Sequence, residues 1–154
     1  MKGLAATLLT FALLLGIPCA AAQTARVGTF DRQAIVVAYY GSPQWAAVLK
    51  QKHTELEEAK SAHDQKKIDE LNAWGGQSQQ MAEEQLAGKV PIANIVEALQ
   101  PAFAEIEKTS NLSSVVEAPA SGRPAESVDV TDRLLDWLEA SEKTREIIRN
   151  LPGR

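Results

Sequence analysis

Cysteine is almost missing from this chain: Cys19 is its only thiol, and it lies in an N-terminal apolar stretch. Lys2 gives that stretch a short positive start. Residues 4–17 are apolar or small, broken only by Thr7, Thr10 and Gly16, and Pro18 ends the run. Ala20-Ala21-Ala22 then offers the small-x-small pattern that fits a signal peptidase cleft. The pattern predicts a signal peptide over 1–22, cut after Ala22. A retained anchor would need about 18 to 20 apolar residues, which this run does not supply. Lipidation of Cys19 is disfavoured, because Gly16-Ile17-Pro18 lacks the usual leucine and places proline where a small flexible residue belongs. Removal of 1–22 would leave 23–154 without a thiol. That form has no route to a disulfide, thiolate metal ligation or a cysteine nucleophile, which suits an oxidising compartment.

Other shortages narrow the function classes. No glycine-rich phosphate loop is present, no histidine lies near a plausible serine nucleophile, and the carboxylates gather on a charged helical stretch instead of an apolar pocket. The expectation is a protein that is not an enzyme and holds no cofactor. His53 and Glu57 are spaced i, i+4 and would share a helix face, but His63 falls about 280° further round, so a three- or four-ligand metal site is not expected. Without Lys2 the chain has 15 basic against 20 acidic residues. That balance argues against nucleic acid and against an anionic lipid surface as main partners. The length allows one domain.

What is present falls into three zones. In the first, Arg26-Val27-Gly28-Thr29-Phe30 alternates as a short strand, and Asp31 is placed to cap a helix running to Tyr40. Gly41-Ser42-Pro43 interrupts it, with Ser42 as a new cap and Pro43 in the first turn. In the second zone Trp45, Leu49, Leu56, Ala59 and His63 fall on one helical stripe, and Ile68, Leu71 and Trp74 continue it after a phase shift. Between positions 50 and 70, 11 of 21 residues are charged, which predicts a solvated helix with one narrow seam. Ile92, Ile95, Val96, Leu99, Phe103 and Ile106 form a stronger stripe, read as hairpin core in preference to a binding groove. Placing the turn at Gly75-Gly76 gives 32 residues on each side within 43–108, with Gly88 and Pro91 as a kink in the return arm; a two-step turn using both sites is the alternative.

The third zone reads as strands and terminal helices. Leu112 to Glu117 holds Ser113-Ser114-Val115-Val116 as a buried strand, and residues 118–125 are a loop. Val128 and Val130 alternate with Asp129, Thr131 caps a helix with Leu134, Leu135, Trp137 and Leu138 inward, and Ser141 caps a last helix. Asn111-Leu112-Ser113 fits a glycosylation sequon but abuts the strand, so it is expected to be unused.

This order of strand, charged helical excursion, Val-Val strand, loop and the closing Ser127-Val128-Asp129-Val130-Thr131-Asp132-Arg133-Leu134-Leu135 resembles the Skp/OmpH family of periplasmic chaperones. The resemblance implies an α+β fold with a small β body and a long antiparallel helical hairpin, assembled as a homotrimer through the body. The body would be 23–42 and 109–154, and the arm 43–108. It implies a periplasmic holdase that shelters unfolded outer-membrane proteins between its arms. Candidate client contacts are Trp45, Leu49, Trp74, Met81 and Leu86; Trp45 and Trp74 suit seam packing equally well. Candidate body contacts between copies are Val27, Phe30, Val115, Val116, Val128 and Val130, since three short strands are marginal alone. The family's best-known members have basic arms. Here 43–108 has seven basic and eleven acidic residues, so strong anionic membrane binding is not expected. The competing reading is a non-catalytic periplasmic coiled-coil adaptor or spacer that binds one folded partner.

Overall fold

The computed structural model describes residues 26–119 and 121–151; the signal-peptide expectation for 1–22 lies outside them. The fold is α+β, mostly helical, around a small sheet. Strand β1 (Val27–Phe30) is central, with β2 (Ser114–Glu117) and β3 (Val128–Asp129) on its two sides, both parallel to it. Thr29 pairs with Val116 on one side and with Asp129 on the other. Parallel neighbours need crossover connections. The helices between residues 32 and 110 provide the first, and residues 118–127 carry the chain from the β2 edge to the β3 edge. The Thr29 hydroxyl donates to Ser127 Oγ at 3.3 Å, so the end of this connection sits on the Thr29 face.

Helix α1 (Arg32–Tyr40) starts where expected, with the Asp31 carboxylate accepting from the Ala34 N–H. Ser42 Oγ accepts from the Trp45 N–H and opens α2 (Pro43–Ser61). The core lies on the Gly28 and Phe30 side of the sheet, where Phe30 stacks on Phe103 at 5.8 Å between ring centroids. Glycine at 28 keeps this packing close, because a Cβ would come within 2.9 Å of the Leu112 side chain and 3.1 Å of that of Val115, and they would have to shift. Ile35, Leu99, Leu134, Leu138 and Ile148 complete the core from four helices.

Several expectations need correction. The hairpin does not turn at Gly75-Gly76, nor by a two-step turn through Gly88. It turns at Ala62-His63-Asp64, between α2 and α3 (Gln65–Leu86), with His63 at φ 56°. Asp64 accepts from the Lys67 N–H and restarts the helix, and Gly75 and Gly76 sit inside α3. Gly88, at φ 72°, and Pro91 are not a kink in one helix, because α3 ends at Leu86 and α4 (Ala93–Ser110) begins afresh. The helices that pack on each other as a hairpin are therefore α2 and α3. The stripe Ile92 to Ile106 is buried as expected, but its burial is in the body core against β2, the Thr131–Trp137 helix and Phe30 of β1, not inside a hairpin.

Two smaller corrections concern the ends. Leu112 precedes the second strand and packs into the core, and β3 stops at Asp129. Thr131 is the first residue of α5 (Thr131–Trp137), not its cap; the Asp129 carboxylate accepts from the Thr131 N–H at 2.9 Å. The Thr131 hydroxyl accepts from the Asp31 N–H at 3.0 Å and ties the starts of α1 and α5 together. Ser141 opens α6 (Glu142–Arg149) as expected.

Candidate functional site at the root of the hairpin

The outgoing and returning helices pack near the body through aromatic rings. Trp45, in the first turn of α2, stacks on Trp74 of α3 with centroids 6.1 Å apart and meets the edge of Tyr40 at 5.0 Å. Tyr39 adds a tilted contact to Trp45 at 5.9 Å. Burial and then the neighbouring Tyr40 raise the Tyr39 phenol above its ordinary value, so it is neutral at physiological pH. Further out, the seam is polar: Lys52 bonds Glu55 at 3.0 Å, and Lys67 reaches the same carboxylate at 4.0 Å across the hairpin. The hydrogen bond from Lys52 is the largest influence holding the Glu55 carboxyl below its usual range.

At the root, α3 is fixed by Gln85, which is 1 % exposed. Its side-chain oxygen accepts from Tyr40 Oη at 2.9 Å, and its amide donates to Pro91 O at 3.0 Å and Asn94 Oδ1 at 2.6 Å. Arg32 completes the joint. Its Nε donates to Gln85 O at 3.0 Å, one terminal nitrogen donates to Val90 O, and the other pairs with Glu117 at 3.2 Å. One amide and one guanidinium therefore connect α1, α3, the 87–92 link, α4 and β2.

Two open recesses flank this root. The first, about 330 Å³, is lined by Tyr40, Trp45, Leu49, Trp74, Gly75, Ser78, Gln79 and Ala82. The second, about 320 Å³, is lined by Val36, Val37, Tyr40, Gly41, Ala82, Glu83 and Leu86. They share Tyr40 and Ala82, so they are neighbours on one surface. Of the five candidate client contacts, Trp45, Leu49 and Trp74 come together in the first recess and Leu86 lies in the second. Met81 is 44 % exposed on α3 and lines neither. Of the two readings of the tryptophans, the seam packing is observed: the rings pack on each other, and they also wall the open recess. Sequence reasoning missed Tyr40, Gly75 and Ala82. Tyr40 had a signal, a second aromatic directly before the Gly41 break; the small residues of α3 had none without the correct hairpin register.

The candidate body contacts divide by exposure. Phe30, Val115 and Val130 are core residues of the single chain and are not available to a second copy. Val27 and Val128 are half-buried, and Val116 is 44 % exposed on the face opposite the core. His53 and His63 are exposed on the arm, and among the described residues no three metal-ligating side chains cluster. No family model, curated protein or solved structure matches this chain.

Proposed function

We propose that this protein is a holdase of the Skp/OmpH type, exported to the periplasm, that binds unfolded outer-membrane proteins at the roots of its helical arms. The observation that carries the reading is the pair of adjoining apolar recesses between α1, α2 and α3, walled by Trp45, Trp74 and Tyr40 and open to solvent. A holdase needs apolar surface that stays exposed without collapsing. Here the Trp45–Trp74 stack and the Gln85 hydrogen bonds hold that surface apart. The hairpin of α2 and α3 and the body through which three copies would join belong to the same proposal.

Arm length favours the adaptor as a second reading. Helix α2 has 19 residues and α3 has 22, so the arm extends only about 30 Å at 1.5 Å per residue. Arms of that length enclose little volume. The test is dilution of a urea-unfolded outer-membrane barrel protein into buffer with and without the 23–154 chain, followed by light scattering. Suppressed aggregation with a soluble complex supports the holdase; an unaffected client that aggregates at its own rate moves the assignment to the adaptor.

A further inference from the structure

We infer that the two root recesses form one groove for a short extended peptide carrying two apolar side chains next to a lysine or arginine. This rests on the client-binding reading above and adds the chemistry of the segment that is bound. The α3 residues that line the groove run from Trp74 to Leu86, which spans about 18 Å of helix. An extended strand covers that distance with about five residues. Side chains two apart on such a strand face the same way, so one would enter beside Trp45 and Trp74 and the next beside Val37 and Leu86.

Charge sets the remaining preference. Among the described residues lining the two recesses, Glu83 is the one that carries a charge. It is exposed, and its carboxylate accepts only a neutral amide from Gln79 at 3.1 Å. Lys52 lies 5.8 Å from the Trp74 ring but is engaged by Glu55. The arm over 43–86 carries five basic and eight acidic residues. A cationic side chain between or beside the two apolar anchors would meet Glu83 and a favourable field, and an acidic one would meet repulsion.

Gly75 lines the aromatic recess. Glycine inside a helix is unfavourable, yet a Cβ at Gly75 would meet nothing within 4 Å, so no packing within the chain requires it. A larger side chain at that position has room to grow beside the aromatic recess.

The test uses fluorescence anisotropy of labelled Gly-Ser-Phe-Lys-Val-Lys-Ser-Gly, and of the same peptide with Glu for both Lys, titrated with the 23–154 chain. The lysine peptide should bind at least about tenfold more tightly at low salt, with the advantage shrinking as salt screens Glu83. Glu83→Lys should reverse the preference. Gly75→Leu should fill the aromatic recess and abolish binding of both peptides while the helical circular dichroism is retained. Equal affinity for the two peptides, or binding undisturbed in Gly75→Leu, would overturn the groove. If the chain suppresses client aggregation but Gly75→Leu suppresses it equally well, the groove fails and the holdase stands. If the peptides bind with the stated preference but no client is protected, the groove stands and the holdase fails.

Discussion

Gln85 shows how much one buried amide can fix. Its side chain bonds Tyr40, Asn94 and the Pro91 carbonyl, so Gln85→Leu would leave a hydroxyl without its acceptor and two oxygens without their donor. Unpaired buried groups cost about 1–3 kcal/mol each. The variant should lose about 3 kcal/mol in urea unfolding, and a loss below about 1 kcal/mol would mean that water replaces these bonds at no cost. Asp129 acts at the same scale. Burial raises its pKa, but hydrogen bonds from Thr131 and the Arg123 guanidinium outweigh that and hold the carboxyl below its usual value. A lowered folded-state pKa contributes stability that is present above the unfolded value and is lost as pH falls through the folded one. Asp129→Asn should therefore be less stable than the parent at pH 7. The gap should close as pH falls below about 4, the ordinary aspartate range, which unfolding curves at stepped pH would read directly.

At the scale of elements, glycines and a histidine exchange the roles that their chemistry suggests. Gly76 lies inside α3 and a Cβ there meets nothing within 4 Å, so Gly76→Ala should raise stability by about 1 kcal/mol in thermal unfolding. His63 holds the left-handed conformation at the hairpin tip. A β-branched side chain is more restricted there, so His63→Val should cost about 1–2 kcal/mol. These paired signs also explain what the sequence made legible. β1, the Asp31 and Ser42 caps, the Val115 strand and the stripe on α4 could all be read, because each is set by local pattern and short-range hydrogen bonds. The tip could not be read from glycine content. Its signal was the phase shift between His63 and Ile68, which is the turn itself and which periodicity alone does not distinguish from a stutter in one continuous helix. The destination of α4 was equally hidden. An apolar stripe specifies that a face is buried, not which partner buries it, and here Phe103 found Phe30 instead of the arm. The recess was half legible, since Trp45, Leu49 and Trp74 stood out as exposed-helix aromatics and aliphatics, while Tyr40 and Ala82 required the true register.

For the whole molecule, the sheet is the unfinished part. Strands of four, four and two residues, all parallel, leave two short edges. Parallel sheets are normally covered on both faces. Helices cover the Phe30 face, and the 118–127 connection reaches Thr29 on the other, where Val116 on the β2 edge strand stays 44 % exposed. A second and third copy would supply the missing cover, which is the physical content of the proposed trimer. Light scattering after size exclusion on the 23–154 chain should return three times the monomer mass. Val116→Lys places a charge on the edge strand and faces it toward the neighbour, a substitution that opposes strand-edge association. Because that side chain is outside the single-chain core, the variant should keep its helical circular dichroism while the assembly dissociates to monomers. A parent chain that elutes as a monomer would remove the trimer and, with it, the argument for three arms around one cavity. A trimer that survives Val116→Lys would instead place the contact elsewhere, and Ile147, 48 % exposed on α6, is the next side chain to charge.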